Sequence, residues 1–145
     1  MGLEQFRTMM VENGIPEPVS AVTDRELALM AALDELFPST THLLCKWHVN
    51  MNVLAKCEKW FPGPVRDERG DLQRHPQFKA FIQDWNTLLL STTEFQYNEL
   101  LKKMESEHPR LAMSYVSTTW LIFKEKLVKF WVDQHLHFGY LVTSR

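Results

Sequence analysis

Residues 19–57 read VSAVTDRELALMAALDELFPSTTHLLCKWHVNMNVLAKC, and two short apolar runs in this stretch decide the fold. VSAV (19–22) and THLLC (41–45) are β-capable. Between them, from Arg25 to Phe37, Leu29, Leu33, Leu36 and Phe37 recur at i, i+4, i+7 and i+8. That recurrence is one apolar face of a helix, and Pro38 closes it. After the second run, Trp47, Met51 and Leu54 repeat every three to four residues and predict a helix to about Lys59. Strand alternating with helix in this way implies parallel strands joined by a crossover helix. A lone parallel pair makes a poor sheet, because parallel strands ordinarily sit in larger sheets covered on both faces. Upstream, Leu3, Phe6, Met9 and Met10 share helical spacing, and Asn13-Gly14 with Pro16 and Pro18 ends that helix.

Beyond residue 60 the strand signal fades. FPGPVRDERGDLQRHP (61–76) is rich in Pro, Gly and charge and reads as a connector. Phe78, Phe81, Ile82, Trp85, Leu88 and Leu89 then form a strong helical stripe. STTE (91–94) has the capping-box signature and precedes a helix using Tyr97, Leu101 and Met104, which His108-Pro109 breaks. Residues 111–135 predict one long helix or two, with Phe123, Leu127, Phe130 and Trp131 facing inward. Gly139 is a stop signal before an extended apolar end. The whole is expected to be α/β at its start and helix-dominated overall.

The chain has 145 residues, 45% of them hydrophobic and 12% aromatic, which suits a packed core rather than disorder. A net charge of −2 is not the footprint of a stand-alone nucleic-acid binder, although a local basic face is compatible with it. No run approaches the roughly 18 apolar residues of a membrane span, and the N-terminal stretch has no signal-type apolar core. With only Cys45 and Cys57, free thiols in a reducing intracellular compartment are the expectation.

Asp24 admits two readings. Thr23-Asp24-Arg25-Glu26 fits a capping box, with Thr23 as the cap and Glu26 reaching back. Alternatively, Asp24 stands at the carboxyl end of a parallel strand, the edge where open α/β sheets place their sites. A carboxylate there suits Mg²⁺, but a two-ion phosphoryl-transfer centre needs several.

The ordered set Thr23, Asp24, Phe37, Pro38, Cys45, Trp47, His48 and Asn52 resembles the core of Mutator-like (MULE) transposases. In that family a strand ending in Thr-Asp leads to a helix ending near Phe-Pro. A second strand then runs into Cys-x-Trp-His, with an Asn a few residues on. KFWVDQHLHFGYLVTSR (129–145) is similar to the return from the family's helical insertion, so the resemblance extends over nearly the whole chain. It implies a partial RNase H-like core of two short parallel strands over residues 1–60, a connector over 61–76, a mostly α-helical insertion over 77–137 and a truncated return to the core over 138–145.

The resemblance further implies a DDE triad of metal-binding acids, of which Asp24 corresponds to the second. The first would lie before this segment, since residues 1–18 read as a helix, and the third, a Glu, just after Thr143-Ser144-Arg145. The expected function is therefore a fragment of a domain for metal-dependent DNA cleavage and strand transfer. Asp24 would hold Mg²⁺ or Mn²⁺ only in a complete triad, and the chain alone would need no cofactor and perform no turnover. Transposon-end DNA as partner and a nuclear location are implied by the same resemblance. Rival expectations are a domesticated DNA-binding or transcription-regulatory protein, and a helical interaction module that self-associates through its incomplete sheet edge.

Other groups read as structural. Cys45-x-x-His48 has the spacing of half a zinc site, but no second pair completes four ligands, so no zinc is expected. His135 and His137, two apart, would not share a helix face. Glu99, Glu105, Glu107 and Glu125 read as solvated, and Trp85, Trp120 and Trp131 as core. Lys102, Lys103, Lys124, Lys126 and Lys129 read as a solvated face able to brush a phosphate backbone.

Overall fold

The structure, a computed structural model, describes residues 2–139, with side chains through Gln134. The proposed return segment beyond Gly139, and the side chains of His135 and His137, lie outside the described residues. The opening elements follow the apolar pattern: α1 (Leu3–Glu12), β1 (Ser20–Thr23), α2 (Leu27–Leu36), β2 (Thr41–Leu44) and α3 (Lys46–Cys57). A 3₁₀ turn (Glu58–Trp60) leads to a hairpin, β3 (Val65–Arg66) and β4 (Leu72–Gln73). The remainder is helical: α4 (Pro76–Leu89), α5 (Glu94–Glu107), α6 (Arg110–Thr119), a 3₁₀ stretch (Leu121–Lys126) and α7 (Lys129–Gly139).

β1 and β2 are parallel, with Ser20 opposite Thr41 and Thr23 opposite Leu44. The pair is extended by the Thr41 amide donating to the Val19 carbonyl at 2.8 Å and the Cys45 amide to the Thr23 carbonyl at 2.9 Å. His42, almost wholly buried on β2, bonds through Nδ1 to Asp34 Oδ1 at 2.5 Å, so the crossover helix α2 is pinned to the strand it feeds. Among the described residues no other strand joins this sheet. β2 is packed against α7 and the 3₁₀ stretch, and Lys126 Nζ donates to the His42 carbonyl at 3.3 Å. β1, by contrast, leaves Val22 61% exposed.

Two helix starts differ from the capping pattern. Thr23 is the last residue of β1 rather than a cap, because its carbonyl is engaged by Cys45; Glu26 is the N-cap of α2, with no side-chain cap bond. Asp24, between the strand end and the cap, is left without a capping role. In STTE the cap is Thr93, whose Oγ1 accepts from the Gln96 amide at 3.0 Å. Ser91, fully buried, instead offers its carbonyl to the Phe130 amide at 2.9 Å and ties the α4–α5 turn to α7.

The connector also holds more order than its composition suggests. Asp67 accepts from the Arg69 and Asp71 amides at 2.9 and 3.0 Å, and Gly70 takes φ +87°, a left-handed turn conformation that suits glycine. The Asp71 amide, with weaker help from its neighbours, holds the exposed Asp67 carboxyl below its ordinary range. α4 begins with Pro76 just after the N-cap His75, whose Nδ1 accepts from the Gln77 amide. Proline costs nothing there, because an amide at that position has no partner within the helix.

One apolar cluster joins the strand–helix unit to the helices that follow. It runs from Met30, Leu44, Val49, Val53 and Cys57 through Phe61, Phe78, Phe81 and Trp85 to Met104, Val116, Leu127 and Val128. Trp85, fully buried, donates Nε1–H to Asn50 Oδ1 at 3.0 Å, and Asn50 Nδ2 donates to Asn86 Oδ1 at 3.0 Å. The indole is thus buried without an orphaned donor, and α3 is locked to α4. A smaller cluster of Met10, Leu33 and Phe37 seats α1 on α2.

Burial pushes the Cys57 thiol from 9.0 up to about 12, and burial together with the nearby Glu105 pushes the Tyr97 hydroxyl from 10.0 to about 12. Both raised values favour the neutral group in the folded state. Their stabilisation is therefore whole below pH 9 and is lost as pH rises toward 12. The urea midpoint is expected to hold level from pH 7 to 8.5, to fall from pH 9, and to fall more steeply above pH 10. In Cys57→Ala the decline should begin only above pH 10.

Candidate functional site

α3 carries two stripes. Val49, Val53 and Cys57 repeat every four residues and lie in the core. Beside them, the N-cap Cys45 and then His48, Asn52 and Lys56 repeat at three- to four-residue steps and line a cleft of about 350 Å³. Parallel pairing puts the carboxyl ends of β1 and β2 at one edge, so residues following β1 meet the first turn of the helix that follows β2. Thr23, Asp24 and Arg25 accordingly form one wall of the cleft, and Tyr115, Thr119 and Trp120 from the end of α6 form another.

At this edge His48 Nδ1 lies 2.5 Å from Asp24 Oδ1, with the two side chains 46% and 61% exposed. The contact orients the imidazole and occupies one carboxylate oxygen. Trp47, 64% exposed, sets its indole edge-on to the His48 ring at 4.9 Å between centroids. Asn52 Nδ2 donates to the His48 carbonyl at 2.8 Å, a bond within the helix. Cys45 is half-buried and makes no side-chain cap bond, while Cys57 sits in the core stripe.

The structure therefore brings Asp24, Cys45, His48 and Asn52 together and leaves Trp47 beside them. Sequence reasoning missed Arg25, Lys56, Tyr115 and Thr119, and took Trp120 as core only; Trp120 is buried and also faces the cleft. Lys56 was legible as the next i+4 step of the His48–Asn52 stripe. The α6 residues follow only from tertiary packing.

Asp24 is the single carboxylate among the cleft-lining residues, and residues 140–145 contain no Asp or Glu. These residues do not fit a two-ion phosphoryl-transfer centre, which needs several acids around ions about 3.5–4 Å apart. Among the described residues, three metal-capable groups converge elsewhere, at Asp84, Glu107 and His108. There His108 Nε2 meets Asp84 Oδ2 at 2.7 Å, and Lys103 already stands 3.6 Å from Asp84 and 3.7 Å from Glu107. Two acids are thus balanced by an ammonium, as expected of a structural network joining α4 to the end of α5. Lys102 and Lys129 likewise pair, with Glu99 and Asp133, and Lys124 lies 4.8 Å from the Trp131 ring centre.

Residues 2–52 match the MULE transposase domain family. The match contains Asp24, Cys45, Trp47, His48 and Asn52 and ends before Lys56. "Protein FAR1-RELATED SEQUENCE 5" of Arabidopsis thaliana is 28% identical over 102 residues, which cover 69% of this chain and 12% of that protein. "PKS-NRPS hybrid synthetase cheA" of Chaetomium globosum is 24% identical over 142 residues, covering 90% of this chain and 3% of that protein. The chain thus spans a small part of the length of either relative. No solved structure matches it. No helix among the described residues is long and apolar enough to cross a membrane.

Because Asp24 caps no helix and its pair with His48 is largely in water, the pair contributes little to folding. Asp24→Asn is expected to change unfolding free energy by less than about 1 kcal/mol, the range of exposed ion pairs. Chemical denaturation checks this; a loss of several kcal/mol would assign the acid a structural role.

Proposed function

We propose that this chain supplies the later part of an RNase H-like, DDE-type transposase core, with Asp24 as one acid of the metal-binding set. Residues 1–60 belong to that core in this reading, 61–76 link it to a helical insertion over 77–137, and 138–145 lead back. The observation that carries the reading is the convergence of Asp24, Cys45, His48 and Asn52 on one cleft at the strand tips, all inside the family-matched segment. Its partner is DNA and its place the nucleus.

Metal-assisted cleavage and joining of phosphodiesters by such a core uses Mg²⁺ or Mn²⁺ held by several converging acids. A single carboxylate does not assemble that set, so the chain by itself performs no turnover. Purified chain incubated with end-labelled duplex DNA and either ion is expected to give no cleaved or joined product. A product that forms with the chain and vanishes in Asp24→Asn would overturn this.

A second reading, a DNA-binding protein of transposase descent without catalysis, is favoured by Arg25 and Lys56, which line the same cleft and pair with no carboxylate among the described residues. Both readings give no turnover by the chain alone; they part in the longer protein, which cleaves and joins DNA in the first and only binds it in the second.

A further inference from the structure

We infer that Arg25 and Lys56 form a phosphate-binding pair that seats a DNA strand in the cleft, and that Trp120 and Phe123 hold Arg25 in position for it. The inference deepens the proposed DNA-directed reading and rests on it.

The placement begins with chain geometry. Arg25 follows Asp24 in the bend between β1 and α2, where no helix or strand bond fixes its side chain. Its guanidinium lies 5.7 Å from the ring centres of both Trp120 and Phe123, at the junction of α6 with the 3₁₀ stretch. Arginine stacked on aromatic faces loses conformational freedom but keeps its N–H donors available at the edge. Among the described residues neither Arg25 nor Lys56 forms an ion pair with a carboxylate. The cleft's only acid, Asp24, is engaged by His48 at 2.5 Å.

The charge balance follows. Two unpaired cations against one carboxylate leave the cleft net positive on a chain whose overall charge is −2. The hydroxyl-bearing Thr119 and the Asn52 amide add neutral hydrogen-bonding groups to its wall. An anion with several acceptor oxygens fits that lining, and guanidinium and ammonium donors on the walls of one cleft are how proteins hold phosphate. The arrangement also gives the later helices a role at the site: rings more than 90 residues along the chain fix the cation next to Asp24.

The test is fluorescence anisotropy of a labelled DNA oligonucleotide, single-stranded and duplex, with the purified chain between 50 and 200 mM salt. Each phosphate contact contributes about 0.7 to the log–log salt slope for a single strand and about 0.9 for a duplex. Arg25→Gln and Lys56→Gln are each expected to weaken binding and lower the slope by about that amount. Arg25→Lys should restore the slope, because the charge remains, while Phe123→Leu should weaken binding with the slope retained. Lys102→Gln, outside the cleft, should leave both unchanged. Binding whose slope is the same in Arg25→Gln and Lys56→Gln as in the parent would overturn this assignment and leave the DNA reading standing. No binding of either oligonucleotide at 50 mM salt would overturn both.

Discussion

The arrangement depends on how α3 is buried. Val49, Val53 and Cys57 occupy the core shared with α4, α5 and α6, and the Trp85–Asn50–Asn86 bonds hold the helix in rotation as well as in depth. A helix so constrained has no freedom over its neighbouring stripe. His48, Asn52 and Lys56 must face the tip of β1, and His48 must meet Asp24 there. The apolar contacts supply the favourable free energy, and the polar stripe is carried into place by them.

The same burial explains why the helical part bears on a site whose named motif lies in the first 52 residues. Trp120 ends α6 with one side against the core and the other toward the cleft, and Lys126 bonds the His42 carbonyl on β2. The helices thus complete a wall that the strand–helix unit alone lacks. Among the described residues β1 pairs only with β2, and its Val22 side chain stays exposed.

Much of this was legible in the sequence. The period of Leu29, Leu33 and Leu36 between two short apolar runs fixed a parallel pair, and parallel pairing alone places Asp24 and the Cys45–His48 turn at one edge. What misled was local chemistry with two meanings. Thr23-x-x-Glu26 satisfies the capping pattern, but the bond from Cys45 to Thr23, twenty-two residues away in sequence, keeps Thr23 in the strand. The hairpin at 65–73 was hidden because two-residue strands carry no period, and its turn is held by Asp67 and Gly70. Arg25 on Trp120 was invisible, because no local pattern links residues that far apart.

The most direct test of the central claim, that the packing of α3 fixes His48 on Asp24, is ring ¹⁵N NMR of the histidines in the parent chain and in Asp24→Asn. The account predicts that the His48 Nδ1 resonance moves, while those of His42, bonded to Asp34, and His108, bonded to Asp84, stay in place. An unchanged His48 resonance, or a displacement of all three together, would contradict it.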